Sequence, residues 1–262
     1  MGILNLTPDS FSDGGENATL KAALAHAWAM IAEGADMLDL GGESTRPGAA
    51  PVDAEAELAR VLPALRAIRA ESDIPISVDT MKPEVARAAM AAGADIWNDV
   101  TALGADGAPE TAAELGAPVI LMHMQGEPRT MQKAPHYDDV VAEVRDFLTA
   151  RAEAAMAAGL KREKIWIDPG IGFGKTLDHN LALIRATAAL AETGFPLVFG
   201  ASRKRFIAAI DPKAQEAQQR LGGSLAAALA AARGGAAVIR VHDVAETVQA
   251  LAVQRAIDGG EG

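Results

Sequence analysis

The sequence contains no cysteine, which excludes disulfide bonds, thiolate nucleophiles and zinc sites built on cysteine. Aromatic residues are also scarce, at 4% of the chain. Because aromatic and β-branched residues dominate β-sandwiches, this composition favours helices packed against a sheet. With 50% hydrophobic and 23% charged residues, the chain does not belong to the disordered class of proteins.

Positive charge is in deficit, since 24 Lys and Arg face 35 Asp and Glu and leave a net charge of −11. Such a surface repels nucleic acid and anionic lipid, so we expect neither as a partner. An anionic substrate would need a local cluster of basic side chains. The sequence also lacks any apolar run near the ~18 residues of a membrane span and shows no secretory signal pattern. We therefore expect a cytoplasmic protein.

Eight short apolar runs alternate with longer helical patterns along the whole chain. The predicted strands are 2–5, 37–40, 76–79, 95–98, 119–123, 164–168, 197–200 and 237–241. The predicted helices are 20–33, 54–71, 83–92, 109–115, 138–159, 178–192, 221–233 and 244–257. Glycines lie at or just past five helix ends, where a left-handed cap is expected; they are Gly34, Gly93, Gly116, Gly159 and Gly194.

This alternation predicts the fold. Consecutive strands separated by helices are most simply parallel, with helices covering a buried sheet. Eight such units close into one (β/α)8 TIM barrel, and 262 residues match the ~250 typical of that fold. An open, doubly wound sheet is the alternative topology. No linker or break in composition divides the chain, so we expect one domain over residues 1–262.

Polar or charged side chains lie at or just after the carboxyl ends of the predicted strands. They include Asn5, Glu43, Ser44, Thr45, Arg46, Asp79, Asn98, His123, Asp168, Ser202, Lys204, Arg240 and His242. Each one alone could be a strand-end hydrogen bonder or a helix N-cap. In a barrel, however, all these ends share one rim, where active sites lie. Their coincidence predicts an enzyme.

Two kinds of chemistry meet at this rim. Arg240 and His242 are two residues apart on one strand, so their side chains leave the same face. They predict a pair of cations that binds an oxyanion or phosphate; the less favoured alternative is that a neighbouring carboxylate satisfies Arg240. Asp79, Asn98 and Asp168 offer acceptors that suit the N–H groups of a planar heterocycle.

Two other patterns could be mistaken for binding sites, one for a nucleotide and one for a metal. The segment 170–176 resembles a phosphate-binding P-loop, but position 169 is Pro where the motif needs Gly, and Lys175 breaks the dinucleotide-binding pattern. A loop whose glycines let the backbone approach a ligand is the simpler interpretation. His123 has no second ligand at metal spacing, which favours a place in the pocket wall.

Several segments together resemble the dihydropteroate synthase family of pterin-binding barrels. They are GILNLTPDSFSDGG at 2–15, GGESTRPG at 41–48, SVDT at 77–80, NDV at 98–100, MHMQG at 122–126, DPGIGFGK at 168–175, SRK at 202–204 and RVH at 240–242. They occur in the family's order and cover essentially the whole chain. This makes the resemblance highly specific.

The resemblance implies a transferase of folate biosynthesis. Such an enzyme joins 6-hydroxymethyl-7,8-dihydropterin diphosphate to 4-aminobenzoate, giving 7,8-dihydropteroate and pyrophosphate. It also implies a Mg²⁺ cofactor with Asn5 as its ligand, a homodimer, and sensitivity to sulfonamides. Family members usually carry a short extension before the first strand, so we expect either a trimmed start or a less covered barrel floor.

The resemblance further implies a role for each matched residue. The residues that would bind the pterin are Asp79, Asn98, Asp168 and Lys204, and those that would bind the diphosphate are Thr45, Arg240 and His242. The residues that would shape the arylamine pocket are Phe11, Pro47, Ser202 and Lys204, and further substrate contacts would come from Arg46, Met122, Phe173 and Val241. Those expected to act in catalysis are Asp79, Asp168, Lys204, Arg240 and His242.

Two alternatives remain. A pterin-dependent methyltransferase would share the pterin-binding acids and amide, but would lack the loops that contain Phe11 and Thr45. A catalytically silent paralogue would bind pterin without turnover. The presence of Asn5, Arg240 and His242 speaks against it, because a silent copy has no use for a diphosphate clamp.

Overall fold

The computed structural model describes residues 1–7, 15–44, 48–127 and 129–259, and side chains in the first helix from residue 20 onward. Strands and helices alternate along this part of the chain. The strands are β1 (Gly2–Asn5), β2 (Leu38–Gly41), β3 (Ile76–Asp79), β4 (Ile96–Asp99), β5 (Val119–Met122), β6 (Ile165–Asp168), β7 (Val198–Phe199) and β8 (Val238–Ile239). The helices are α1 (Gly15–Ala32), α2 (Ala54–Glu71), α3 (Pro83–Ala91), α4 (Ala108–Leu115), α5 (Val140–Ala157), α6 (Leu177–Arg185), α7 (Thr187–Ala191), α8 (Arg205–Ile210), α9 (Leu221–Arg233) and α10 (Val244–Ile257).

The eight strands close into a barrel. Strands β1 to β6 form one parallel sheet in chain order, and β7 pairs in parallel with β8. Two parallel bridges join the sheets, Ile167 with Leu197 and Gly2 with Val241. The second junction is reinforced because the Val241 amide donates to the Met1 carbonyl at 2.9 Å. The predicted (β/α)8 barrel is therefore confirmed, and the open doubly wound sheet is wrong.

Apolar side chains fill the barrel at its N-terminal end and the layer between the strands and helices. Inside, Met1, Ile96, Ile120 and Val198 form one buried cluster against which Met37, Trp166 and Val238 pack. Outside, two larger clusters pack the helices onto the strands. The barrel interior is thus filled at its N-terminal end, and the active sites of such barrels lie at the opposite end.

Most predicted element boundaries agree with the structure within a few residues, and five glycine caps are confirmed. Gly34, Gly93, Gly116, Gly159 and Gly194 all have φ between 61° and 112°. The helix predicted over 178–192 is instead two helices, α6 and α7. The Thr187 hydroxyl donates to the Ile184 carbonyl at 2.8 Å, and such bonds compete with the helix backbone.

Three further corrections concern a helix that was not predicted and the limits of three elements. Helix α8 was not predicted, since six residues are too few for a 3.6-residue period to show. Strands β7 and β8 are only two residues long, against the predicted 197–200 and 237–241. Helix α1 begins at Gly15 rather than at residue 20. Across the described ranges, no helix combines the length and apolarity needed to cross a membrane.

Candidate active site

The pocket residues lie one layer above an apolar plug inside the barrel. The plug consists of the buried cluster and the side chains packed against it, namely Met1, Ile96, Ile120, Val198, Met37, Trp166 and Val238. Side chains of a strand alternate between its two faces, so the residue two positions after each plug residue also faces inward. Counting on from Met37, Ile96, Ile120, Trp166, Val198 and Val238 gives Asp39, Asn98, Met122, Asp168, Gly200 and Arg240. Four of these six residues are polar or charged. The barrel interior therefore changes from apolar to polar within one layer, and this polar layer lies at the floor of the pocket.

These residues and their neighbours line a space of about 340 Å³ at the C-terminal rim. Its lining residues are Asp79, Asn98, Val100, Met122, Asp168, Gly170, Phe173, Gly200, Lys204 and Arg240. The structure thus brings together seven sequence-predicted residues. Four lie on strands β3 to β6, two on loops and one directly after β8; they are Asp79, Asn98, Met122, Asp168, Phe173, Lys204 and Arg240.

Arg240 forms the central ion pairs of the site. Its Nε donates to Asp39 Oδ2 at 2.6 Å, and its Nη2 donates to Asp79 Oδ2 at 3.0 Å. The disfavoured alternative, an arginine satisfied by carboxylates, is therefore what the structure shows. The partners lie 201 and 161 residues away along the chain, so no local sequence pattern could reveal the pairing.

Asp39 is a site residue that the sequence prediction missed. Its side chain is fully buried, and it accepts from the Asn98 amide Nδ2 at 3.2 Å and 3.4 Å as well as from Arg240. A signal was present, since an ionisable residue in the middle of the apolar run 37–40 is rare in a buried strand.

The pocket disfavours negative charge on its own carboxylates. Burial, with the nearby Asp39 carboxylate adding to it, raises the pKa of Asp79 to about 7 even though Arg240 acts in the opposite direction. Burial also raises the pKa of Asp168, against the hydrogen bond that its Oδ1 accepts from the Gly170 amide at 2.7 Å. A ligand that donates N–H groups, or carries positive charge, would stabilise both carboxylates in their ionised form.

Lys204 and Phe173 form one wall of the pocket. The Lys204 ammonium lies 4.0 Å from the centre of the Phe173 ring, a cation–π contact. Lys204 follows Arg203, a non-glycine residue with φ of 58°. This unfavourable backbone is held in place because the Arg203 side chain pairs with Asp243 and its amide donates to Ser224 Oγ at 2.8 Å. Strained loops of this kind often occur at functional sites.

His242 is a neutral hydrogen-bonding group in this structure. Burial, together with the positive charge of Arg240, lowers its pKa to about 3. Of the predicted pair of cations, Arg240 therefore carries the charge in this structure, and His242 is its neutral hydrogen-bonding neighbour. Ser202 Oγ accepts from the His242 amide at 3.2 Å and lies 3.0 Å from its Nδ1. We assign the hydroxyl proton to the bond with Nδ1, which leaves the ring proton on Nε2 as a donor.

A buried lysine supports the glycine-rich loop after β6. The Lys175 ammonium is 2.9 Å from His123 Nδ1 and donates to the Phe173 carbonyl at 2.9 Å. His123 is thus a loop anchor, which agrees with its predicted place in the wall. Gly170 has φ of 67°, and a Cβ there would lie 1.9 Å from the His123 carbonyl oxygen. The loop can pack this closely only because that residue is glycine.

Asn5 lies half-buried at the end of β1, and its side chain makes no hydrogen bond to any described residue. An amide oxygen left without a partner at the rim fits a ligand of Mg²⁺, which prefers oxygen donors and retains several waters. No group of three His, Asp or Glu side chains that could hold a metal occurs among the residues whose placement the structure gives.

The remaining predicted residues fall into two groups. Val241 directs its side chain into the outer apolar cluster rather than into the pocket, so only its backbone could reach a substrate. Phe11, Thr45, Arg46 and Pro47 lie outside the described residues.

Comparison with known proteins gives consistent results over the whole chain. The family described as "Pterin binding enzyme" matches residues 1–242. The dihydropteroate synthase of Escherichia coli (strain K12) is 52% identical over 256 residues, covering 98% of this chain and 90% of the relative. The crystal structure of Xanthomonas albilineans dihydropteroate synthase with 4-aminobenzoic acid is 51% identical, with a TM-score of 0.94 over 100% of this chain and 93% of that one.

A third relative is the dihydropteroate synthase of Yersinia pestis, whose structure was solved with a sulfonamide drug. It is 46% identical and superposes with a TM-score of 0.93, covering 99% of this chain and 94% of that one.

The raised pKa of Asp79 predicts how stability depends on pH. Because the folded pKa is about 7 and the ordinary value is 3.8, the folded state holds a proton that the unfolded state releases between these values. The contribution of Asp79 to the free energy of unfolding should therefore fall as pH rises from about 4 to about 7. In the Asp79→Asn variant this fall should be absent, so the variant should gain stability relative to the native chain over that range.

Urea titrations at half-unit intervals from pH 4 to pH 8 would measure this difference. Asp73→Asn changes an exposed carboxylate and should follow the native curve. Parallel curves for the native chain and Asp79→Asn would contradict the expectation.

Proposed function

Because the chain belongs to the pterin-binding enzymes, and within them to the dihydropteroate synthases, we propose that it joins 6-hydroxymethyl-7,8-dihydropterin diphosphate to 4-aminobenzoate. The products are 7,8-dihydropteroate, pyrophosphate and a proton, in folate biosynthesis. The observation that carries the proposal is the pocket itself, where buried acceptors on Asp79, Asn98 and Asp168 face the buried Arg240 cation. A pterin supplies N–H donors for the first set, and a diphosphate supplies negative charge for the second.

The pterin end of the pocket favours a cationic ring. Burial raises the pKa of both Asp79 and Asp168, so each carboxylate gains from a nearby positive charge or N–H donor. We propose that the bond between the pterin methylene carbon and the diphosphate oxygen breaks first and leaves a cation delocalised into the dihydropterin ring. The two carboxylates stabilise this cation more than they stabilise the neutral substrate, which is the condition for catalysis.

The diphosphate end receives the departing electron pair. Arg240 is paired with Asp39 and Asp79 through its Nε and Nη2 atoms. Its Nη1 atom has no hydrogen bond within the described part of the chain. That group is available to the leaving oxygen, with the His242 Nε2–H as a second donor. Preorganised donors aimed at developing negative charge are among the strongest contributions to catalysis.

The arylamine then attacks the exposed methylene carbon and loses its proton. A strong general base is not required, because an arylamine is nucleophilic in its neutral form. We propose that Lys204 and Ser202 lie beside the bound 4-aminobenzoate, together with Phe11 and Pro47 from outside the described residues. The Lys204 ammonium, 4.0 Å from the Phe173 ring centre, is a suitable neighbour for this substrate at the pocket mouth.

We propose Asn5 as the protein ligand of Mg²⁺. Its unpartnered amide oxygen fits an ion that takes its remaining ligands from diphosphate and water. When bound, Mg²⁺ would neutralise charge on the leaving diphosphate. The homodimer and the cytoplasmic location stay predictions.

Pyrophosphate release tests the proposed function. With dihydropterin diphosphate, Mg²⁺ and 4-aminobenzoate, the purified chain should release pyrophosphate over many turnovers. Without the arylamine, release should not continue beyond about one turnover, because the second bond then cannot form. A sulfonamide should inhibit it by occupying the arylamine site.

A chain that binds pterin tightly without releasing pyrophosphate would be the silent paralogue. A chain that does neither would contradict the site.

Asp79→Asn tests the proposed order of bond breaking. If the carboxylate mainly stabilises the cation, kcat should fall by about 100-fold or more, and the affinity for 6-hydroxymethylpterin should change by less than about tenfold. Steady-state kinetics and calorimetric titration give the two values. Equal losses in both would show that Asp79 binds substrate and transition state alike.

Asn5→Ala tests the magnesium ligand. The substitution removes a side chain with no partner in the described structure, so the melting temperature should change little. The apparent Kd for Mg²⁺, measured by calorimetry with pyrophosphate bound, should rise about tenfold or more. Asn180→Ala alters another amide far from β1, and its Mg²⁺ affinity should be unchanged; equal Mg²⁺ affinities for the native chain and Asn5→Ala would remove Asn5 from the ligand set.

A further inference from the structure

Asp39 is a buried carboxylate to which the proposed reaction assigns no part. It lies on β2, inside the barrel, one strand away from Asp79 on β3. Its side chain is fully buried. Within the described ranges it bonds to two pocket residues, Arg240 at 2.6 Å and Asn98 at 3.2 Å. A buried carboxylate with two partners that both line the substrate pocket is well placed to control them.

We propose that Asp39 is a positioning residue with two roles. It fixes the orientation of the Asn98 side-chain amide, and it remains paired with Arg240 when the substrate binds Asp79. The inference rests on the proposed function, because it concerns how the same pocket recognises a pterin. It divides the carboxylates into a permanent partner of Arg240, Asp39, and an exchangeable one, Asp79.

The direction of the Asn98 amide follows from the chemistry of its partner. An ionised carboxylate only accepts hydrogen bonds, so the Asn98 group that faces Asp39 must be the Nδ2 amine. The Oδ1 atom is then the end of the amide left for the pocket. The pocket consequently presents an acceptor at this position and selects a ligand that offers an N–H there.

The division of the two carboxylates follows from their burial and distances. Asp39 has no exposed side-chain surface and lies closer to Arg240, at 2.6 Å, whereas Asp79 is partly exposed to the pocket and lies at 3.0 Å. A ligand in the pocket can reach Asp79 but not Asp39. Arg240 can thus release Asp79 to a pterin and still keep a buried counter-ion, so it avoids the cost of an unpaired buried charge.

The charge of Asp39 also acts on Asp79. The charged groups that act on Asp79 are Asp39 from β2, Arg240 from β8, Glu57 from α2 and Asp99 from β4. Asp39 is the first of the negative groups among them, and it raises the pKa of Asp79. Its neutralisation should lower that pKa, so Asp79 would ionise, and the catalytic step that uses its charge would begin, at lower pH.

Asp39→Asn is the direct test. The new amide offers a donor where only acceptors stood, so the Asn98 amide can turn and the Arg240 guanidinium loses a counter-ion. The Kd for 6-hydroxymethylpterin, measured by calorimetry, should rise about tenfold or more. The pH at which kcat reaches half its maximum should shift downward.

Asp99→Asn is the matched control. Asp99 is an equally buried carboxylate on β4 that bonds the Thr101 and Leu103 amides outside the pocket. Its replacement should lower the melting temperature without changing the Kd, and it should shift the pH midpoint less than Asp39→Asn does, because Asp99 acts on Asp79 more weakly than Asp39 does. If Asp39→Asn shows the same behaviour, Asp39 is merely structural and the inference is overturned.

A measurement on the native chain covers the case in which Asp39→Asn does not fold. The chain has four asparagines, so selective ¹⁵N labelling resolves the Asn98 side-chain amide by NMR. Its two protons should exchange slowly with water before and after the pterin is added, because Nδ2 faces buried Asp39 throughout. Rapid exchange in either state would overturn the inference.

This readout also separates the inference from the proposed function. A protected Asn98 amide in a chain that releases no pyrophosphate would retain the positioning role and reject the reaction. An unprotected amide in an active chain would do the reverse.

Discussion

The ion pairs of Arg240 with Asp39 and Asp79 are the interaction on which the site depends. Removing one partner from a buried pair typically costs about 3–5 kcal/mol, so the three side chains must be brought together correctly. Arg240 follows the last strand of the barrel, while Asp39 and Asp79 lie on the second and third. These residues can meet only when β8 joins β1 through Gly2 and Val241. Closure of the fold and assembly of the site are therefore one event.

The pocket maintains a charge balance suited to a ligand with two different ends. Its lining contains the carboxylates Asp79 and Asp168 and the cations Arg240 and Lys204, and the fully buried Asp39 pairs with Arg240. Burial outweighs the cations and raises the pKa of Asp79 and Asp168. The carboxylate side consequently attracts a ring that can carry positive charge, while Arg240 attracts the anionic leaving group. Separating these charges along one ligand is what a dissociative displacement requires.

The sequence predicted the fold well and the site incompletely, for different physical reasons. Strand order and glycine caps depend on local patterns, and these could be read. The ion pairs of Arg240 depend on residues 161 and 201 positions away in the chain, so no local pattern identifies the carboxylates that satisfy it. Asp39 itself was concealed inside an apolar strand, although its alternation with Met37 places it on the inner face. The charge of His242 depends on burial, which lowers its pKa. Burial at this position cannot be read from the two residues Arg240 and His242 alone.

The shifted pKa values of Asp79 and Lys175 indicate that these two side chains lower the stability of the fold near neutral pH. Burial lowers the pKa of Lys175 to about 7, so the unfolded state binds its proton more tightly and the contribution of Lys175 to stability rises only between about pH 7 and 10.5. The contribution of Asp79 falls between about pH 4 and 7. The combined contribution of these two groups is therefore least favourable near neutral pH. One supports the glycine-rich loop and the other faces the ligand, so function, not stability, explains why ionisable side chains occupy both positions.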